Sequence, residues 1–275
     1  ILPVGLSFLV FQKISYIVDI YRGKDKPLLN PIDFGMYIAL FPQLIAGPIV
    51  RFKEISGQIK DREHSLDKFI EGIFRFTLGL GQKVILANTC GSIADEIFAL
   101  DPASVSMAVA WLGIISYAFQ IYFDFAGYSS MAIGLGKMIG FDFPENFNHP
   151  YISRSITEFW KRWHITLSNF FKDYVYIPLG GNRKGNVRTY ANLWMVFFLS
   201  GIWHGANWTF ILWGIYHGFF LVLERGFLLK ILTKSKYSST IYAFFIVLIG
   251  WVFFRSENFG SALAYIANLF NFNDL

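Results

Sequence analysis

Five histidines could exchange a proton near neutral pH, and the setting of His204 indicates chemistry most directly. It lies between two apolar stretches, residues 190–203 and 208–223. An ionisable side chain at such a place is costly unless it faces a cavity or a partner, so its position indicates a function. A neutral imidazole there can serve as a general base. The alternative is a structural histidine packed between the neighbouring rings of Trp203 and Trp208.

The surroundings of His204 allow a close approach, and the sequence lacks the motifs of several other kinds of chemistry. Gly201 and Gly205 flank it and would let a substrate or a neighbouring backbone approach closely. The sequence has no Gly-x-Ser-x-Gly nucleophile elbow, and no His, Cys, Asp or Glu cluster has metal-ligand spacing. Its single cysteine, Cys90, excludes a disulfide framework. We therefore expect acid–base chemistry by a histidine, with no metal and no bound cofactor.

His164 is the second candidate, and it lies on a predicted amphipathic helix. Ser155 and Glu158 match a capping box, and Glu158 with Arg162 forms an i,i+4 ion pair on the polar face. The opposite face carries Trp160, His164, Leu167 and Phe171. This pattern is typical of a helix that lies in the membrane interface. His164 then either takes part in the chemistry or anchors the helix at the interface.

Two further ionisable residues lie in or beside apolar segments. His217 comes late in the second apolar stretch, where helix packing or a hydrogen bond to a neighbouring helix is favoured over catalysis. Asp124 either orients a histidine or holds a pair of helices together, and the spacing leaves both interpretations open.

Residues 178–188 resemble an anion-binding loop. Gly180 and Gly181 free the backbone N–H groups, and Arg183, Lys184 and Arg188 add positive charge. Such a loop could hold the phosphates of a cytoplasmic donor such as coenzyme A, with Arg183 and Lys184 as binding residues. The alternative, which we favour from these residues alone, is a turn whose charges set the membrane topology.

The composition indicates a membrane protein. Hydrophobic residues make up 54% of the chain and charged residues 16%, below the roughly 25% usual in soluble domains. Aromatic residues reach 19%, which suits a chain partly surrounded by lipid. The net charge of +5 comes from residues between apolar segments, as in cytoplasmic loops, so we expect no nucleic-acid partner.

The apolar segments predict a polytopic, all-α transmembrane fold. Apart from the broken segment described below, they are residues 1–20, 69–88, 105–124, 125–139, 190–203, 208–223 and 238–254. Residues 125–139 are rich in small residues and are expected to pack closely against other helices. Residues 190–203 are too short to span a membrane alone.

The segments between these spans predict the topology. Residues 34–50 are interrupted by Pro42, Gly47 and Pro48, and we predict a re-entrant segment there. The basic loop 140–189 is predicted inside the cell, and the acidic loop 89–104 outside. The first apolar segment has no basic n-region and no small-residue cleavage site, so we do not interpret it as a signal peptide. We interpret residues 1–275 as a single transmembrane core, cut at both ends.

Several of these runs together resemble the membrane-bound O-acyltransferase family. The matching runs are residues 41–49, 124–129, 151–164, 173–183 and 203–208. Within the family they are most similar to the branch that O-acetylates alginate. The resemblance implies a ring-shaped helical body with a thin centre, where a cytoplasmic donor and an outside acceptor meet at a buried histidine. It assigns catalysis to His204 and a second, supporting role to His164.

The resemblance also implies a reaction and partners. Such an acyltransferase would move an acetyl group from a thioester, acetyl-coenzyme A or another, towards hydroxyls of an extracytoplasmic polysaccharide like alginate. It would work with periplasmic or extracellular acetylation proteins and lie, in contact with lipid, as a multi-pass protein in the bacterial inner membrane. A related branch that transfers D-alanine to teichoic acid shares the histidines, so the acyl group stays open.

Two interpretations from other classes compete with an enzyme. A transporter would also use broken segments and intramembrane histidine or aspartate, but it predicts an inverted repeat, which the sequence lacks. A non-catalytic membrane scaffold would leave His204 without a role. We therefore favour acyl transfer with His204 as general base over a covalent acyl-histidine.

Overall fold

The computed structural model describes residues 5–43 and 47–272, and all regular elements in these ranges are helices. This agrees with the predicted all-α class. Besides short 3₁₀ and π segments, the helices are α1 (Leu6–Tyr21), α2 (Pro31–Ala39), α3 (Phe52–Lys60), α4 (Leu66–Gly81), α5 (Asn88–Phe98), α6 (Met107–Met138), α7 (Ile156–Arg162), α8 (Ile165–Phe171), α9 (Gly185–His204), α10 (Trp208–Leu223), α11 (Leu229–Leu232), α12 (Lys236–Arg255) and α13 (Phe259–Asn268).

The chain forms two compact units that alternate along the sequence. The first unit consists of Ile1–Ile85, Tyr122–Asn148 and His164–Tyr174. The second unit consists of Leu86–Ile121, His149–Trp163 and Val175–Leu275. The interpretation of residues 1–275 as one transmembrane core stays a prediction.

In the first unit, α4 packs directly on the later part of α6 through glycines. A Cβ added at Gly72 would lie 2.7 Å from the carbonyl oxygen of Gly134, and one at Gly79 would lie 2.5 Å from that of Gly127. No larger side chain fits between these backbones. The close packing predicted for residues 125–139 is therefore confirmed, since small residues let two helices approach.

The other face of α4 carries large apolar side chains that the protein leaves uncovered. Ile70, Phe74 and Leu78 are 54%, 65% and 50% exposed. Small residues inside and large apolar residues outside are the pattern expected where lipid, not water, surrounds a helix.

Several predicted segment boundaries were wrong. Residues 105–124 and 125–139 form the single helix α6, because no proline interrupts them. Residues 190–203 belong to the 20-residue helix α9, which begins earlier, at Gly185. By length and apolar composition, α6 and α12 are the two described helices that could cross a membrane.

The predicted re-entrant segment has a broken backbone. Helix α2 ends at Ala39 and is followed by the 3₁₀ turn Phe41–Gln43. Residues 44–46 lie outside the described residues, as do residues 1–4 of the first predicted span. Whether this segment re-enters a membrane stays a prediction.

Helix α8 is held against α1 within the first unit. Phe170 stacks on Phe11 with ring centroids 4.2 Å apart, and the Tyr174 hydroxyl donates to Asp19 Oδ2 at 2.6 Å. The Arg51 guanidinium donates to Asp173 Oδ2 at 2.6 Å. Partial burial alone would raise the pKa of Asp173, but Lys53 and Arg51 outweigh it and lower that pKa. This network fixes the helix that begins directly after His164.

In the second unit, α9 and α10 form a tight antiparallel hairpin. A Cβ added at Gly201 would lie 2.6 Å from the carbonyl oxygen of Phe210, so the two backbones touch near the turn. The predicted role of this glycine, close backbone approach beside His204, is confirmed. Helix α12 packs on α10, and its Trp251 stacks over Trp213 at 6.3 Å.

The second unit has two chemically different ends. At one, which we call the His204 end, the turn after α9 meets the end of α12, where Asn207 Nδ2 donates to the carbonyl oxygen of Glu257 at 2.7 Å. At the other, the Glu224 end, the buried Glu224 carboxylate accepts from the backbone N–H groups of Ile156 and Thr157 at 2.6 and 2.8 Å. The 20 residues of α12 separate the ends by about 30 Å, the thickness of a bilayer's hydrocarbon core.

The predicted amphipathic helix around His164 is wrong as one continuous element. Helix α7 ends at Arg162, and α8 begins only at Ile165. The two local signals were right, because the Ser155 hydroxyl accepts from the N–H of Glu158 at 3.0 Å and Glu158 pairs with Arg162. The Glu158 carboxylate, however, accepts from the N–H of Arg154 instead of that of Ser155. Four side chains of α8 are buried in protein.

Candidate functional site

His204 is the last residue of α9 and lies at the turn of the hairpin. Gly205 follows it in extended conformation, and α10 starts at Trp208. Asn207 caps α10, since its side-chain oxygen accepts from the N–H of Thr209 at 3.2 Å. Its amide also holds Glu257, as described above. Local capping and this one long-range bond therefore fix the turn that carries His204.

Aromatic rings surround the imidazole of His204. The ring centroids of Trp203, Trp213 and Phe254 lie 4.8, 5.0 and 5.1 Å away, and all three rings stand edge-on to it. Its side chain is half-buried. Within residues 5–43 and 47–272, no group hydrogen-bonds the ring nitrogens. The ring is thus oriented by packing alone, and its nitrogens keep their hydrogen-bonding capacity for a substrate.

His217 lies in the same aromatic cluster but is fully enclosed. It is 0% exposed, and Trp160 and Trp213 pack on it with centroids 5.0 and 5.3 Å away. A Cβ added at Gly250 of α12 would lie 2.6 Å from His217 Nε2. His217 therefore joins α10 to α12 by packing, which confirms the interpretation favoured from the sequence.

His164 lies in the first unit, at the break between α7 and α8. Its backbone is left-handed, with φ 45°, a conformation in which histidine is enriched but which still costs about 1 kcal/mol. Its Nδ1 lies 3.0 Å from Asn146 Oδ1, and the same oxygen accepts from the Thr166 hydroxyl at 2.9 Å. Phe125 packs edge-on against the ring at 4.6 Å. The side chain is 2% exposed and held in one orientation.

The predicted anion-binding loop is an ordered turn. Gly180 and Gly181 have φ values of 105° and 56°, which other residues would adopt only with strain. Asn192 Nδ2 donates to the carbonyl oxygen of Gly181 at 2.9 Å, and Arg188 Nε donates to that of Leu179 at 3.2 Å. Arg188 is therefore occupied by the turn itself.

Arg183 and Lys184 remain exposed at the start of α9. The 20 residues of that helix place them about 30 Å from His204, at its opposite end. The structure therefore separates the predicted phosphate-binding residues from the predicted base by the length of α9. His164 belongs to the other unit.

Several residues that stabilise the fold or contact the candidate histidines carry no strong sequence signal. Asp124 bonds to Lys83, so it holds a helix pair, one of its two predicted roles. Glu224 caps α7 by accepting from the N–H groups of Ile156 and Thr157, which are 68 and 67 residues away in the chain. Its only sequence signal is a lone carboxylate at the end of an apolar stretch. Asn146 and Phe254, which contact His164 and His204, had none.

The chain matches a family profile over most of its length. Residues 24–263 match the profile described as MBOAT, membrane-bound O-acyltransferase family. This range includes His164, Arg183, Lys184 and His204.

Three relatives illustrate the range of similar proteins. A probable alginate O-acetylase AlgI of Azotobacter vinelandii is 51% identical, over 100% of this chain and 55% of its own length. A peptidoglycan O-acetyltransferase of Helicobacter pylori is 40% identical, over 99% and 58%. A teichoic acid D-alanyltransferase of Streptococcus thermophilus is 31% identical, over 84% and 59%. The chain thus spans little more than half the length of the relatives it matches.

Proposed function

This chain belongs to the membrane-bound O-acyltransferase family, and we propose that it transfers an acetyl group from a thioester donor towards hydroxyls of an extracytoplasmic, alginate-like polysaccharide. Two relatives named probable alginate O-acetylases are 51% and 50% identical over the whole chain. They support the acetyl group and this acceptor class. The teichoic acid D-alanyltransferase supports the same chemistry with another acyl group.

The observation that best supports this proposal is the contrast between His204 and His217. Both lie against Trp213, but only His204 is partly open and placed at a turn. A general base must come within hydrogen-bond reach of the proton that it removes. The partial exposure of His204 supports this role, whereas His217 is enclosed on all sides.

The proposed reaction uses His204 as general base. A ring nitrogen accepts the proton of the acceptor hydroxyl while that oxygen attacks the thioester carbonyl carbon. The C–O bond forms, the C–S bond breaks, and the imidazolium returns its proton to the leaving thiolate. The attacking hydroxyl belongs either to the polysaccharide or to an extracytoplasmic acetylation protein that relays the acetyl group.

The other proposed roles follow the same scheme. Arg183 and Lys184 are exposed cations, suited to the phosphates of an acyl-coenzyme A donor at the cytoplasmic face. His164 supports the reaction as a residue held rigidly by Asn146 and Phe125. We place the protein, as one acyltransferase core, in the bacterial inner membrane with several spans. The exposed apolar face of α4 supports the multi-pass arrangement.

The test compares matched substitutions in the full-length protein. His204→Phe keeps a ring in the aromatic cluster but removes the proton acceptor, so product acetylation should fall by about 10²–10⁴-fold. His217→Phe makes the same change at an enclosed position and should retain most activity per folded molecule. His164→Ala should be less severe than His204→Phe. Acetylated product is measured in membranes and normalised to the amount of protein.

Near-normal acetylation by His204→Phe would contradict the assignment and favour a transporter or a scaffold. Equal and complete loss in His164→Ala would instead indicate that both histidines act directly.

A further inference from the structure

One buried face of α10 carries two polar groups without a hydrogen-bond partner. Thr209 and Trp213 lie about one helical turn apart, so their side chains share a face, and each is 1% exposed. Among the described residues, no group bonds to the Thr209 hydroxyl or to the Trp213 indole Nε1. Buried polar groups are normally paired, and a buried tryptophan N–H usually finds an acceptor. The pair therefore indicates a ligand that accepts hydrogen bonds.

This face of α10 adjoins the proposed general base. The Trp213 ring packs on the His204 imidazole with centroids 5.0 Å apart and an angle of 85°. Both rings also pack on Phe254, at 5.4 and 5.1 Å, so the three rings form one closed group. The unpaired donors thus lie beside the base, on the first two turns of the helix that follows it.

The start of α10 favours negative charge at this place. The helix has 16 residues and begins at Trp208, directly before Thr209. Its aligned peptide dipoles give that end a partial positive charge of roughly half an elementary charge. The Trp213 N–H can only donate, so the group that it binds must be an acceptor. An oxygen that becomes negative during a reaction meets all of these conditions.

We propose that Trp213 and Thr209 are catalytic residues that bind the carbonyl oxygen of the thioester in the transition state. The inference rests on the proposed function, because it takes the thioester and the base from it. As the hydroxyl oxygen attacks the carbonyl carbon, the electron pair of the C=O bond moves onto the carbonyl oxygen. The indole N–H and the threonine O–H donate to this oxyanion while His204 holds the proton. The pair returns as the C–S bond breaks, and the leaving thiolate takes the proton from His204.

The experiment removes each donor while keeping the shape of its side chain. Membranes that contain the full-length protein and its acetylation partners are supplied with acetyl-coenzyme A, and kcat and KM are measured per folded molecule. Thr209→Val and Trp213→Phe should each lower kcat about 10²-fold. The KM for acetyl-coenzyme A should stay the same, because these bonds form only in the transition state.

A matched control removes a similar donor from the same aromatic cluster. Trp160 also has an indole N–H that no described residue accepts, but its ring packs on His217 at 5.0 Å. Trp160→Phe should therefore leave kcat unchanged. A loss of kcat as large as that of Trp213→Phe would overturn the proposal, since general disturbance of the cluster would then explain both variants.

Thermal unfolding separates the catalytic role from a structural one. A hydroxyl without a partner contributes no hydrogen bond to the fold, so Thr209→Val should leave the unfolding midpoint unchanged or raise it while kcat falls. A lowered midpoint with unchanged kcat would assign Thr209 to the fold and overturn the proposal. This measurement matters most for Thr209, because Trp213→Phe also removes volume from the core and should lower the midpoint.

Failure of this proposal is distinguishable from failure of the proposed function. Near-normal acetylation by His204→Phe would contradict the proposed function itself. Loss of acetylation by His204→Phe, with unchanged kcat in Thr209→Val or in Trp213→Phe, would overturn the two-donor oxyanion site alone. A raised KM with unchanged kcat would overturn it as well, since the two groups would then bind the donor in its ground state.

Discussion

The two ends of the second unit use their polar groups differently. At the Glu224 end, the buried Glu224 accepts from two backbone N–H groups and from the Thr157 hydroxyl at 2.6 Å. At the His204 end, the half-buried imidazole of His204 has no hydrogen-bond partner within the described residues, and the carboxylate of Glu257 is exposed. Polar groups that bind one another stabilise a fold, whereas polar groups left available can bind a substrate.

The charge of the two ends also differs. A cavity of about 530 Å³ at the Glu224 end is lined by Arg154, Arg162 and Lys236 against one carboxylate, Glu158. A cavity at the His204 end has two carboxylates against one guanidinium. Under the proposed function, a phosphate-bearing donor would suit the basic end.

The largest expected difference between the two ends is in the stability of variants at Glu224 and His204. Glu224→Ala leaves the N–H groups of Ile156 and Thr157 buried without a partner and should destabilise the protein by about 3 kcal/mol. Thermal unfolding in detergent measures this change. Activity per folded molecule should persist, whereas His204→Phe should lose activity and keep its unfolding midpoint. An unchanged midpoint for Glu224→Ala would contradict the structural role of this carboxylate.

A smaller effect should appear in donor kinetics. Arg183→Ala with Lys184→Ala should raise the KM for acetyl-coenzyme A about fivefold and change kcat less, because exposed ion pairs contribute little each. Arg154→Ala with Lys236→Ala removes the same charge from the basic cavity and serves as the matched control. If only this second pair raises the KM, the donor binds in the cavity, and residues 178–188 act only in topology.

The smallest expected effect concerns Glu158 at the basic end. Partial burial alone would raise its pKa, but the N–H of Arg154 and the guanidinium of Arg162 outweigh it and lower the pKa from the ordinary 4.5. Glu158→Gln should therefore lower the free energy of unfolding by about 0.5 kcal/mol at neutral pH. The effect is small because solvent screens this partly exposed ion pair. This contribution is complete above pH 4.5 and disappears as the pH falls through the lowered pKa. Unfolding of both proteins between pH 3 and 7 tests it, and a constant difference would contradict it.

Much of the fold could be predicted from local sequence signals. The all-α class, the Ser155 cap and the pair of Glu158 with Arg162 each depend on residues within about one helical turn. Gly201 also indicated the close backbone approach beside His204. Apolar periodicity and spacing within one turn are properties of the chain itself, so they can be interpreted before packing is known.

Packing between distant segments decided the rest. The helix breaks at His164, where Asn146, 18 residues away in the chain, contacts the ring nitrogen. Phe254 contacts His204 only because α12 packs on α10.

The sequence by itself determined that the chain is helical and apolar and that His204 lies between two apolar stretches. Only the tertiary structure decided that His204 is half-buried while His217 is enclosed. The physical reason is that solvent exposure and unused hydrogen bonds result from contacts between residues far apart in the chain, which no local pattern records.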